Sequence, residues 1–213
     1  MNNARTTQAN SDLRHGLISR SLRRFAEQKG IFLPALLIGL LALSVISTTR
    51  STAAPAGTDA QKSFEIMKTL AGSWQGTLTV IPEMPAMKGA TAKLTLRVTS
   101  RGNALMHDLT VSGIPDNPIT MFYLDSDRLL LTHYCDAGNR PRMEGKISPD
   151  GKTIEFDFLD VSGGMQKGHM HHAVFTLIDA DHHTEDWTFM MKDKPIHAHF
   201  DLRRTKAAGT ELW

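Results

Sequence analysis

With 213 residues the chain can hold one globular domain and an accessory segment, and its single cysteine, Cys135, excludes an internal disulfide. The sequence pI near 8.7 comes from the N-terminus: residues 57–213 carry 17 Lys+Arg against 20 Asp+Glu, so no basic patch argues for a nucleic-acid partner. That larger part must be held by its apolar core, which a domain of ~150 residues can supply.

Residues 31–46, IFLPALLIGLLALSVI, are uncharged. Arg5, Arg14, Arg20, Arg23, Arg24 and Lys29 precede them, against only Asp12 and Glu27, and Ala54-Pro55-Ala56 follows with A-x-A character. This pattern predicts a secretory signal peptide with a long n-region. An uncleaved membrane anchor fits as well, because about 17 apolar residues is the lower limit for a span and the basic flank would stay inside. In both cases residues 1–56 are a targeting segment. Residues 57–213 are then periplasmic or secreted, or held outside the cytoplasmic membrane, with membrane contact only through residues 31–46 if these are uncleaved. No cysteine stands directly after the apolar stretch, as a lipoprotein anchor would need.

Residues 58–70, TDAQKSFEIMKTL, predict one amphipathic helix. Thr58 and Gln61 fit a capping box, and Phe64, Met67 and Leu70 recur at helical spacing. From Gly72 onward the pattern is all strands: 72–81, 90–100, 104–113, 118–125, 128–136, 141–148, 153–160, 169–178, 182–191 and 196–205. Ala92, Leu94, Leu96 and Val98 share a face, as do Ile154, Phe156 and Phe158. Ten short antiparallel strands with brief connections predict an all-β, up-and-down barrel, which leaves no open edge. A two-sheet sandwich is the alternative, and it needs a long Greek-key return.

Alternate loops of such a barrel lie at alternate ends. RGN (101–103), DSD (125–127), SPDGK (148–152) and DAD (179–181) are tight turns and predict a closed end. IPEMPAMKG (81–89), GIPDN (113–117), DAGNR (136–140), VSGGMQKG (161–168) and KDKP (192–195) are mostly longer and predict a mouth.

This layout divides the five histidines of KGHMHHAVFTLIDADHHTEDW. His169 and His171 start their strand at the mouth, while His182 and His183 follow the DAD turn at the closed end. His171 and His183 then stand roughly 20 Å apart, too far to share an ion. His197 and His199 return to the mouth. Pairing His171 with Met190, and Met190 with His197, predicts one row across three strands, with His169 and His199 diagonal to it. The outer histidines of that row lie ~10 Å apart at Cα. A one-residue change in either loop reverses the facing. His133 and Cys135 share a face at the same end, with Asn139 and Arg142 on or beside the next loop.

Two chemistries compete for these residues. An H-x-H pair puts two imidazoles on one strand face, so His169, His171, His197 and His199 are candidate zinc ligands, and the His and Met mixture suits copper. The other is a pocket for a small, largely apolar molecule with a few polar contacts. There His133, Cys135, Asn139 and Arg142 would act with His169, His171, Met190, His197 and His199. Cys135 has no orienting partner that would make it a nucleophile. VSGGMQKG lacks the context of a phosphate loop, and no serine triad or carboxylate pair stands out, so no catalytic residue is assigned.

The stretch LAGSWQG after a helix resembles the start of the lipocalin and fatty-acid-binding-protein superfamily, whose first strand begins G-x-W, here Gly72 and Trp74. That resemblance implies a basic residue of the last strand packed over Trp74 at the barrel floor, a role open to Arg203 and Arg204. The second lipocalin motif, T-D-x-x-Y, is absent, and ten strands suit a fatty-acid-binding or nitrobindin-type barrel better than an eight-stranded lipocalin. Residues 63–205 resemble a bacterial lipocalin-like secreted family through LAGSWQG, SRGNALMHD, DRLLLTHYCDAGNRPRM, HMHHAVFTLIDADHHTEDW and HFDLRR. Nitrobindins are more distantly similar and bind haem through a histidine near the chain end, in a segment that reads like HAHF. The resemblance implies haem on His197, and a haem-dependent isomerase as an alternative to an exported ligand-binding barrel.

Overall fold

A computed structural model describes residues 57–207. The apolar stretch 31–46 and the predicted targeting segment lie outside the described residues. Among the described residues no helix is long and apolar enough to cross a membrane.

Helix α1 spans Asp59–Thr69. Thr58 Oγ1 accepts from the Gln61 N–H and Gln61 Oε1 accepts from the Thr58 N–H, so two donors left open at the helix start are satisfied reciprocally. Phe64 and Met67 are buried on one face, each contributing about 1.5–3 kcal/mol by leaving water.

Ten strands follow: β1 Gly72–Ile81, β2 Thr91–Thr99, β3 Ala104–Val111, β4 Ile119–Asp125, β5 Arg128–Tyr134, β6 Arg140–Ile147, β7 Thr153–Ser162, β8 His169–Asp179, β9 His182–Met191 and β10 Lys194–Ala207. Each pairs antiparallel with its sequence neighbours, and β10 returns to β1, so the sheet closes and no sandwich forms. At this seam a Cβ on Gly76 would lie 1.7 Å from the Asp201 carbonyl oxygen, so only glycine lets β1 and β10 approach. Helix α1 leads into β1 at the tight-turn end and packs against β4, β5 and β6, adding Phe64, Met67 and Leu70 to the core.

Two expectations of register are corrected. The reversal predicted over KDKP takes only Lys192 and Asp193, at φ 48° and 63°. Two successive left-handed residues make a tight hairpin whose twist suits its strands, so β10 starts at Lys194. Met190 therefore lies opposite Pro195, and His197 lies opposite Thr188. In β8 the register shifts between Met170 and His172, which puts His169, not His171, opposite Met190. The predicted row of His171, Met190 and His197 does not form.

Candidate functional site

Alternation along the strands decides which side chains face inward. In β10, Ile196, Ala198 and Phe200 line an internal cavity, so His197 and His199 stand on the outer face. The cavity has a volume of about 640 Å³ and is walled mainly by apolar side chains such as Leu78, Val80, Leu109 and Trp187. That size is usual for a small-molecule pocket. The charged side chains of the wall, Asp116, Asp136 and Lys167, all stand on mouth loops, and Met84 and Met87 from the β1–β2 connection form part of the rim.

The polar part of the wall lies deeper. His107 in β3 is opposite Thr120 in β4, and Thr120 is opposite His133 in β5, so the three form one inward row. All are buried. His133 Nδ1 is 2.8 Å from Thr120 Oγ1. The Thr120 hydroxyl has no other partner among the described residues, so it donates to Nδ1 and the His133 proton sits on Nε2. Burial, with the nearby His107 adding to it, pushes this imidazole down to about 3, which keeps it neutral. Its Nε2 has no partner among the described residues.

His107 is held from across the barrel. Its Nε2 lies 2.9 Å from Glu185 Oε2, while its Nδ1 has no partner among the described residues. Glu185 is wholly buried; Trp187 Nε1 also donates to Oε2 at 2.9 Å, and His183 Nε2 lies 3.1 Å from Oε1. Burial alone would raise the carboxyl pKa, but the charge and hydrogen bonds of His107 and His183 outweigh it and hold Glu185 below the usual carboxylate range. The carboxylate therefore acts as an ionised acceptor, and the His107 Nε2 proton points at it.

His183 carries this chain of contacts to the floor. Its ring meets Trp74 edge-on at 4.2 Å, and the Arg204 guanidinium lies 4.1 Å from the same Trp74 ring. Arg204 also donates to the carbonyls of Thr69, Ala71 and Ala180, tying the end of α1 to the β8–β9 turn. Gly72 opens β1 beside it, whereas Arg203 is exposed and turned outward.

The predicted site residues end up in separate places. His133 and Cys135 line the cavity, and burial raises the Cys135 thiol pKa. Asn139 is buried and donates to the Gly164 and Gly168 carbonyls at 2.8 and 2.7 Å, clamping one mouth loop to another. Arg142 forms a forked ion pair with Asp160 on the outer surface. His169 and His171 sit 3.1 Å apart, Nε2 to Nδ1, and pack on Phe158 where the β7–β8 ladder has ended at the Asp157–His172 pair. Outside, His197 Nδ1 lies 3.1 Å from Thr188 Oγ1 and His199 Nδ1 lies 2.6 Å from Asp186 Oδ1, while Met190 lies opposite His169 and Pro195. The four histidines considered as zinc ligands thus fall into two separate pairs.

Two groups that sequence reasoning passed over, His107 and Glu185, are central to the deep wall. Strict alternation in ALMHDLTV sets His107 with Leu105 and Leu109, and in HHTEDW it sets His183, Glu185 and Trp187 together. That was the available signal.

These features define a closed ten-stranded antiparallel barrel with a largely apolar internal cavity. Its fold is similar to the crystal structure of Rv2717c from M. tuberculosis, with a TM-score of 0.52 at 12% identity, covering 67% of this chain and 97% of that one. Looser matches are a de novo designed fluorescence-activating β-barrel (TM-score 0.32, 12% identity, 65% and 96% covered) and a DUF3598-family protein of unknown function from Nostoc punctiforme (0.22, 8%, 67% and 99%). At such identities the likeness to Rv2717c shows the fold alone. No family model matches the chain, and no curated protein matches its sequence.

Proposed function

We propose that this protein is an exported binding barrel that holds one small, largely apolar molecule in its cavity. The observation that carries the reading is an apolar cavity of about 640 Å³ whose deep wall holds His107 and His133, each with one ring nitrogen that has no partner among the described residues. Apolar pockets with a few placed polar groups are the usual form of a small-molecule site. The packing of Arg204 over Trp74 supports the lipocalin-like relationship. Export rests on the basic and apolar N-terminus, which makes residues 1–56 the targeting segment and residues 57–213 the exported domain.

Haem carried on His197 does not fit this chain. His197 is exposed on the outer face, with Nδ1 engaged by Thr188. The H-x-H pairs likewise do not converge on one ion.

The test is native mass spectrometry of residues 57–213 purified without a histidine tag. One organic molecule per chain, released on denaturation, is expected; a chain recovered empty that also takes up no apolar probe would refute the reading. Cell fractionation of the full chain checks export, which predicts the barrel outside the cytoplasm.

A further inference from the structure

Two ring nitrogens in the wall of the cavity stand without partners among the described residues. His133 offers an N–H at Nε2, because Thr120 occupies Nδ1. His107 directs its Nε2 proton at Glu185, and its Nδ1 has no partner among the described residues. Both rings flank Trp187, at centroid separations of 5.8 Å for His107 and 5.5 Å for His133. Thr120 separates them in the row, so they sit two strands apart on one wall.

Charge restricts what can sit there. Glu185 is an ionised carboxylate at full burial, and its neutralising partners, His107 and His183, are already bound to it. Among the described residues no Lys or Arg reaches the deep wall; the one lysine of the lining, Lys167, stands on a mouth loop. A ligand carboxylate placed beside the imidazoles would add a second anion next to buried Glu185, in a desolvated region that no Lys or Arg reaches among the described residues. A pure hydrocarbon would leave two buried nitrogens unpaired, which is also costly. A neutral hydroxyl avoids the first penalty and relieves the second, since its oxygen adds no charge and accepts from His133 Nε2.

We propose, resting on the binding-barrel reading, that the ligand is an apolar alcohol or phenol whose hydroxyl oxygen accepts from His133 Nε2. The row of His107, Thr120 and His133 is then the specificity-determining part of the cavity. Trp187 and the aliphatic wall take the apolar body.

The test uses three fluorescent probes of one shape on residues 57–213: pyrenemethanol, methylpyrene and pyrenecarboxylate, titrated near neutral pH. Pyrenemethanol is expected to bind at least about tenfold more tightly than either of the others, since a site built to hydrogen-bond a hydroxyl rejects analogues that lack it. In the double variant His133→Phe, Thr120→Val, which removes the donor and its hydroxyl partner together, the alcohol-to-hydrocarbon affinity ratio is expected to fall to about one. Methylpyrene binding as tightly as pyrenemethanol, pyrenecarboxylate binding tightest, or an unchanged ratio in the double variant would overturn the inference while leaving the binding barrel standing. Failure of all three probes to bind would remove both.

Discussion

Glu185 and His107 meet inside the barrel with Oε2 and Nε2 2.9 Å apart, although 78 residues separate them in the chain. The contact joins β9 to β3 across the interior, and His183 and Trp187 complete the coordination of the carboxylate. Removing one member of a buried charged pair strands the other in low dielectric. Glu185→Ala is therefore expected to lower unfolding free energy by about 3–5 kcal/mol in urea titrations. Asp186→Ala, one residue on and facing solvent, is expected to change it by less than about 1 kcal/mol.

Acid sensitivity follows from His133. Its folded pKa of about 3 lies below the ordinary histidine value of 6.5, so between these pH values the unfolded chain binds a proton that the folded chain does not. Stability is undiminished above 6.5 and falls with pH down to about 3, at a slope approaching roughly 1.4 kcal/mol per pH unit. Glu185 acts in the same direction but later: its depressed pKa contributes stability that is present above about 4.3 and is lost as the pH falls further. Urea titrations from pH 7.5 to 4 should show the slope, and His133→Phe should flatten it between pH 6.5 and about 5.

The floor makes a sharp contrast between neighbours. Arg204 stacks on Trp74 and donates to three backbone carbonyls, whereas Arg203 points into solvent. Arg204→Ala is expected to cost about 2–4 kcal/mol and to alter Trp74 emission. Arg203→Ala is expected to stay within about 0.5 kcal/mol of the parent. Equal effects in thermal melts would contradict this account of the floor.

The seam gives a third test of architecture. A methyl at position 76 collides with the backbone of Asp201, which cannot yield without opening the β1–β10 ladder. Gly76→Ala is expected to cost about 3 kcal/mol, read as a lowered urea midpoint, where exposed Gly113→Ala costs only its own backbone strain.

Much of this was legible beforehand. Period-two alternation located ten strands, the Asp- and Gly-bearing turns separated the closed end from the mouth, and the resemblance carried by G-x-W pointed to Arg203 and Arg204 near Trp74, of which Arg204 takes the place. What escaped was register. A bulge near His171 and a two-residue turn at Lys192–Asp193 depend on local backbone energies that hydrophobic pattern does not encode. Those two features moved the histidine row. Clustering in print also misled: His169, His171, His197 and His199 drew notice as H-x-H pairs, while isolated His107 acquires its partners only when β3 and β9 face each other across the closed barrel.

The central claim is that the cavity, and not the outer histidines, receives the ligand. Titration of residues 57–213 with Nile red, an uncharged apolar fluorophore, tests it most directly. Three variants accompany the parent: Ala198→Trp, which fills the cavity from β10, and the outer-face changes His197→Ala and His199→Ala. Saturable one-to-one binding is expected, lost in Ala198→Trp and within about twofold of the parent in the two histidine variants, with circular dichroism unchanged throughout. Binding that survives Ala198→Trp and disappears with His197 or His199 would contradict it.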